Sequence, residues 1–207
     1  MATGSGKIAM KLQDYFDSLA PTWDREIRWE GVNCLKNIVQ ELEIETGSYV
    51  LDIGSGTGIL SPFLTEVVGE EGRSIALDFS RKMLLEARAK DSFAVTDCIQ
   101  ADVSAIPLCD NCVDLALCNS VFPHFGDKAK ALREIARVLR DGGRLVICHT
   151  MSREKLKQLH RSIGGIVAND FLPDEFKLKE MMERAGLAIT CLEDSPKRYL
   201  LTARKAA

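Results

Sequence analysis

Three glycines at alternate positions follow an acid in the run Val50-Leu51-Asp52-Ile53-Gly54-Ser55-Gly56-Thr57-Gly58-Ile59-Leu60. Glycine has no Cβ, so a chain built this way turns sharply and lets its backbone come close to a ligand. The apolar residues before the loop predict a buried strand, and those after it a helix. The N-terminus of that helix would offer unpaired N–H groups to a negative or polar ligand. Pro62 falls in its first turn, where a missing N–H is tolerated. A dinucleotide loop spaces its third glycine one residue later, because the pyrophosphate needs the room. A nucleoside triphosphate loop needs Gly-Lys followed by Ser or Thr, which is missing here. The competing reading is a tight strand–helix turn with no ligand at all.

Histidine is the side chain whose ordinary pKa suits proton transfer near neutrality, and the chain has three. His149 closes a predicted strand, at the sheet edge where α/β folds bind ligands, and is the first candidate base. His124 in Phe122-Pro123-His124-Phe125 is the second. His160 shares a helical face with Leu156, Leu159 and Ile163 and is expected to point inward. With Asn169 and Asp170 it is assigned to a substrate pocket; a buried imidazole bonded to a carbonyl is the alternative. Cys109 and Cys112 have zinc-like spacing, but a structural site needs two further ligands. No second C-x-x-C follows, so the stretch reads as a turn around Asp110 and Asn111, and no metal is expected. Cys98, Cys118 and Cys148 fall on predicted strands and read as small buried hydrophobes.

Positioning these groups requires an alternating fold. Leu12, Tyr15, Phe16 and Leu19 lie on one face of a first helix, which Ala20-Pro21-Thr22 interrupts. Ile27, Leu35, Ile38, Val39 and Leu42 mark the buried side of a second helix, ended by Thr46-Gly47-Ser48. Short apolar runs predict strands over 49–53, 74–79, 98–102, 113–119 and 144–149. Helices are expected between them over 59–68, 80–90 and 128–140. Asp141-Gly142-Gly143 supplies a glycine stop for the last of these. Two more helices are expected after Ser152 and after Pro173. Strands over 187–192 and 198–203 flank Asp194-Ser195-Pro196-Lys197, a spacing that permits an antiparallel hairpin. Strands alternating with helices predict a doubly wound, mostly parallel seven-stranded sheet with helices on both faces. An antiparallel C-terminal edge strand and an N-terminal helical cap complete it. The expected organisation is a cap over residues 1–45 and a core over 46–207 within one domain.

Residues 50–60 resemble motif I of the class I S-adenosylmethionine-dependent methyltransferases, a Rossmann-like family, and later segments fall in register across about 190 residues. The resemblance implies a cofactor, S-adenosylmethionine, with S-adenosylhomocysteine as product. It assigns Asp52, Gly54, Gly56 and Gly58 to cofactor binding. Asp78, in Ala76-Leu77-Asp78-Phe79-Ser80, would take both ribose hydroxyls, with Phe79 and Met83 beside it. Asp102 and Val103, in Gln100-Ala101-Asp102-Val103, would meet the adenine. Asn119 ends a segment resembling motif IV and would lie beside the methionine moiety and the transferred methyl. Residues 137–145 resemble the helix and turn before the fifth strand. Residues 15–24 resemble the cap of small-molecule members such as the ubiquinone and menaquinone biosynthesis C-methyltransferases. That likeness assigns Tyr15 and Trp23 to the acceptor pocket, with plain core packing as the alternative.

Composition narrows the partners. The formal net charge is −3 with 46% hydrophobic residues, which suits one compact domain with its own core. A mildly acidic chain with no arginine-lysine stripe is a poor match for long nucleic acid. No apolar run reaches the roughly 18 residues of a membrane span. Residues 1–7 are small and polar and read as a frayed tail without an export signal. A cytoplasmic location, where the seven cysteines stay reduced, is therefore expected. The expected activity is methyl transfer to a small molecule, a quinone-like or heteroaromatic intermediate. The rivals are an RNA or protein methyltransferase and a non-catalytic S-adenosylmethionine-binding module.

Overall fold

The computed structural model describes residues 5–26 and 29–206, with side chains over 12–25 and 31–206. Ile27 of the expected second helix, and residues 1–4 of the expected tail, lie outside the described residues. The chain opens with α1 (Ser5–Leu19), a 3-10 segment (Ala20–Glu26) and α2 (Trp29–Glu41). There follow β1 (Tyr49–Ile53), α3 (Ser61–Val68), β2 (Arg73–Asp78), α4 (Arg81–Arg88) and β3 (Asp97–Gln100). The second half runs β4 (Val113–Asn119), α5 (Lys128–Val138), β5 (Leu139–His149), α6 (Arg153–Ile163), α7 (Glu175–Arg184), β6 (Leu187–Asp194) and β7 (Tyr199–Lys205).

The strands form one seven-stranded sheet in the order β3-β2-β1-β4-β5-β7-β6. The first five are parallel, and β7 is antiparallel to both of its neighbours. The expected hairpin is present, with β7 as its inner strand and β6 at the sheet edge. Strand order reverses between β1 and β4, the switch point where open α/β sheets bind ligands at their carboxyl ends.

Alternation along the strands divides the core into two faces. Leu51, Ile53, Ala116 and Ile147 meet α5, α6 and α7 through Leu132, Ile135, Leu156, Leu178 and Met182. Val50, Leu115, Leu117 and Val146 meet α2 and α3 through Leu35, Ile38, Val39, Leu64 and Val68. Burying such a side chain contributes roughly 1.5–3 kcal/mol. Thus α2, grouped with the cap on sequence, packs as a core helix.

Side-chain caps start four helices, while α3 follows the glycine loop without one. Ser80 accepts from the Met83 N–H at α4, Asp127 from Lys130 at α5, Ser152 from Lys155 at α6 and Asp174 from Lys177 at α7. Each satisfies an N–H that the helix itself leaves free. Several boundaries differ from expectation, two of them informatively. The third strand stops at Gln100 rather than Asp102, and α5 ends at Val138, so Asp141-Gly142-Gly143 is not its cap. Instead Leu139 already pairs with Val113, and pairing then jumps to Leu115 with Arg144. Residues 140–143 bulge out of β5, and Gly142 takes the positive φ (+75°) that the excursion needs.

Candidate active site

The carboxyl ends of β1, β2 and β4 surround a cavity of about 680 Å³. At its floor the glycine loop leaves Ile53 with positive φ at Gly54 (+68°), Gly56 (+55°) and Gly58 (+78°). Their roles differ. A Cβ on Gly54 would stand 2.2 Å from Val121 Cγ2, and one on Gly58 2.6 Å from the Phe93 ring. A Cβ on Gly56 would meet nothing nearer than Trp23 Nε1 at 4.0 Å. Gly54 and Gly58 thus permit close packing, whereas Gly56 leaves its backbone bare toward the cavity. Gly54 and Gly56 line the cavity and Gly58 does not.

Asp78 ends β2 on the cavity wall and is buried. Its Oδ2 accepts the Gly56 N–H at 2.8 Å and its Oδ1 the Ser80 N–H at 2.7 Å. Burial pushes its pKa up to about 6, against the pull of those two hydrogen bonds. Asp52 stands behind the loop rather than on the wall. Burial and the charge of Asp78 push its pKa up to about 7. Asp102 lines the cavity beside Val103, and its Oδ1 accepts the Ser104 N–H at 2.7 Å. Phe79, Met83 and Asn119 complete the expected lining. Directly after Asn119, Ser120 has a φ of +56°, rare for a residue with a Cβ. Its N–H donates to Cys148 O.

The roof is α1 and the 3-10 segment after it. Trp23 reaches the cavity as expected, but Tyr15 does not; the neighbouring Phe16 does. The Phe16 ring sits edge-on to Trp23 and Phe79, each at 5.9 Å, and to His124 at 5.2 Å. Tyr15 packs against its back at 5.3 Å. Two acids fasten this roof. Asp17 Oδ1 accepts Ser80 Oγ–H at 2.5 Å and the Lys82 N–H at 3.2 Å. Asp24 accepts Thr57 Oγ1–H at 2.5 Å and pairs with Lys90 at 2.6 Å. Partial burial pulls Asp24 upward, but the hydrogen bonds from Lys90 and Thr57 outweigh it and hold its pKa below the ordinary value. Phe16 shared the predicted apolar face with Tyr15, but helical periodicity does not say which ring points at a ligand. Asp17 and Ser80, 63 positions apart in sequence, carried no signal of pairing.

All three histidines converge near one end of the cavity. His124 is on its wall, with Nδ1 2.8 Å from Asp170 Oδ2, and Asp170 also lines it. His160 is buried, and its Nδ1 donates to the Asp170 backbone oxygen at 2.5 Å; its ring centroid is 4.9 Å from that of His124. His149, the first candidate base, is only 1% exposed and is set away from the lining. Among the described residues neither of its ring nitrogens has a hydrogen-bond partner. Burial, with the neighbouring His124 and His160, pushes its pKa down to about 3. Asn169 and His160 are likewise not on the wall. Ending a strand therefore buried His149, while the short turn after β4 brought His124 to the cavity.

Among the described residues no helix is long and apolar enough to cross a membrane, and no cluster of His, Cys, Asp and Glu is arranged to hold a metal ion. Cys112 Sγ donates to Cys109 O, closing the turn between them.

The geometry fits S-adenosylmethionine: a buried acid for paired hydroxyls, a bare backbone at Gly56 and a long, mostly apolar cavity. Residues 51–147 match the family model described as a methyltransferase domain. The chain is 34% identical over 170 residues to the ubiquinone/menaquinone biosynthesis C-methyltransferase of Vibrio cholerae, covering 70% of this chain and 65% of that protein. The chain thus spans slightly less than two thirds of that relative's length. The Escherichia coli O1:K1 protein of the same description is 31% identical over 170 residues, covering 69% of this chain and 67% of its own. Among solved structures, a SAM-dependent methyltransferase from Aquifex aeolicus superposes with a TM-score of 0.75 at 24% identity. That likeness covers 92% of this chain and 98% of the other, and it shows the shared fold.

Proposed function

The chain belongs to the class I S-adenosylmethionine-dependent methyltransferases, and we propose that it methylates a small, flat, largely apolar acceptor such as a quinone-like intermediate. The observation that carries this reading is the roof. Phe16 and Trp23 close over the same cavity that Gly56, Asp78 and Asp102 line. A cofactor and a small acceptor therefore share one covered chamber, rather than an open groove for RNA or protein. The likeness to quinone C-methyltransferases supports the acceptor class.

When bound, S-adenosylmethionine supplies an electrophilic sulfonium methyl. The residues of the chain bind, orient and exclude water. Asp78, ionised, would accept from the ribose hydroxyls, and its two backbone hydrogen bonds keep it aimed. The Gly54–Gly58 backbone and Asn119 would hold the methionine moiety, and Asp102 and Val103 would hold the adenine. Phe16 and Trp23 keep water from the chamber, where orientation of the two reactants can remove about 7–11 kcal/mol of a bimolecular barrier. Cytoplasmic residence and action on a soluble biosynthetic intermediate belong to the same reading.

The test is calorimetric titration with S-adenosylmethionine and S-adenosylhomocysteine, followed by an assay for S-adenosylhomocysteine release with 1,4-dihydroxynaphthalene as acceptor. Saturable binding of both sulfur ligands and acceptor-dependent turnover are expected. Absence of binding would overturn the cofactor assignment in this chain. Binding with turnover only on RNA or protein would overturn the small-molecule assignment.

A further inference from the structure

Methylating a hydroxyl releases one proton, and among the described residues His124 is the imidazole on the cavity wall. Its position is fixed from several sides. It closes the 3-10 turn Phe122–His124, and its own N–H donates to Val121 O at 2.9 Å. Lys128 Nζ donates to Pro123 O at 2.7 Å and Phe125 O at 3.0 Å, clamping the backbone on either side. Asp170, from the loop after α6, meets Nδ1 at 2.8 Å. A carboxylate accepts, so Nδ1 carries the proton and the lone pair is left on Nε2. Nε2 has no hydrogen bond from the described residues and is not sealed off from solvent.

We propose that His124, oriented by Asp170, takes the hydroxyl proton of a phenolic or enolic acceptor. This rests on the methyltransferase reading above and narrows it: a heteroaromatic nitrogen with a free lone pair would need no such base. Phe16, edge-on to the imidazole at 5.2 Å, and Phe79 and Phe125 on the same wall suit a flat ring whose hydroxyl points at Nε2. In the step, the acceptor forms its bond to the methyl carbon. The sulfur–methyl bond breaks and leaves its electron pair on sulfur. The hydroxyl proton passes to Nε2 and then to solvent. One methyl moves and one proton is released, and positive charge lost at sulfur reappears on the imidazolium.

Asp170 stands beside that charge. The groups facing His124 are Asp170, His160 from α6, His149 at the end of β5, and Lys128 from α5, whose ammonium faces the same Asp170 carboxylate. His149 is pushed down to about 3, and burial also lowers His160. Neither competes as an imidazolium, so the new charge is balanced by Asp170. Asp170 is accordingly a positioning residue.

4-Nitrophenol, whose phenolate absorbs visibly, is the probe, titrated with pH on protein saturated with S-adenosylhomocysteine. In the wild-type protein the bound phenol should ionise about 1–3 pH units below its free value, the shift expected from a cation held within ~4–6 Å. His124→Gln should abolish that shift, and Asp170→Asn should reduce it, because the amide no longer balances an imidazolium. His124→Phe, which keeps a ring in place, guards against a folding defect in the glutamine variant. Each variant should bind S-adenosylhomocysteine within about twofold of wild type. Failure of the probe to bind, an unshifted ionisation, or the same shift without His124 would overturn the proposal. Failure of S-adenosylhomocysteine itself to bind would instead overturn the cofactor assignment.

Discussion

Asp24 Oδ1 lies 2.5 Å from Thr57 Oγ1, so the segment that carries Trp23 is tied to the glycine loop it covers. Lys90 completes the tie, with Nζ 2.6 Å from Asp24 Oδ2 and 2.7 Å from Thr57 O. Asp17 makes a second tie to Ser80, the residue that caps α4 and whose N–H also holds Asp78. Roof and floor are thus joined by two ties, and on the proposed reading cofactor exchange must loosen at least one of them.

Breaking the Asp24 tie should speed ligand release more than it harms folding. The carboxylate is partly exposed (46%), and such pairs contribute little to stability. Asp24→Ala is expected to raise the S-adenosylhomocysteine dissociation rate about 3- to 10-fold, since most affinity changes appear in the off-rate. Stopped-flow displacement, following Trp23 fluorescence, measures it. An unchanged rate would mean that the roof opens elsewhere.

Asp78 links binding to pH. Its pKa in the free protein is pushed up to about 6, and in the proposed role the ribose hydroxyls would need the ionised form as acceptor. Affinity should therefore fall as pH drops through about 6, and binding near that pH should release protons. Calorimetry at pH 6 in buffers of different ionisation enthalpy reads the proton count directly. Asp78→Asn should weaken binding about 30-fold, the loss of roughly 2 kcal/mol of charge-assisted hydrogen bonding, and should remove the pH dependence. For folding the sign is opposite. A carboxyl raised above its unfolded value favours the folded state at low pH, and that contribution is lost as pH rises through about 6.

The glycines should separate folding from binding. Gly54→Ala places a methyl 2.2 Å from Val121, and Gly58→Ala places one 2.6 Å from the Phe93 ring, each at positive φ. Overpacking and left-handed strain each cost about 1–3 kcal/mol, so both variants should lose stability. Gly56→Ala meets nothing nearer than Trp23 Nε1 at 4.0 Å, an ordinary contact, and incurs only the strain of about 1–2 kcal/mol. Its methyl enters the cavity, so its larger defect should be in cofactor affinity. Chemical denaturation and calorimetry on the three proteins test this. Equal loss of affinity per unit of lost stability in all three would contradict it.

The sheet was legible because its strands are continuous apolar runs punctuated by loops, and β1 and β4 fall where the sequence puts them. The end of α5 was misjudged because Asp141-Gly142-Gly143 looks the same whether it stops a helix or bulges from a strand; the pairing of Leu139 with Val113 decides. Of the expected site, Asp78, Asp102 and Asn119 do line the cavity; their motifs were recognisable because each stands at or just after the carboxyl end of a strand. The roof residues that touch the cavity were only half legible. Phe16 and Tyr15 are adjacent on one amphipathic helix, and only the tertiary position of α1 selects Phe16. His149 shows the limit of the strand-end argument: β5 continues against β7, and Tyr199 pairs with His149 and covers it.

That burial makes His149 a stability sensor rather than a working base. Its pKa is about 3 when folded and about 6.5 when unfolded. Between those values the unfolded chain binds a proton that the folded chain refuses, so its contribution to stability falls as pH drops below 6.5. From pH 6.5 to pH 5 the loss from this one group should be about 1.6 kcal/mol; Asp52 and Asp78, raised to about 7 and about 6, act in the opposite sense and together outweigh it, so the comparison with a His149 variant isolates it. His149→Leu, close in volume, removes two buried nitrogens without partners among the described residues, each of which costs about 1–3 kcal/mol when unsatisfied. The variant should be at least as stable as wild type at pH 7.5 and more stable by a growing margin at pH 5, with turnover retained. Urea denaturation at the two pH values measures the margin. An equal margin at both would show that His149 does not carry this acid sensitivity, and loss of turnover in a folded variant would return it to the chemistry.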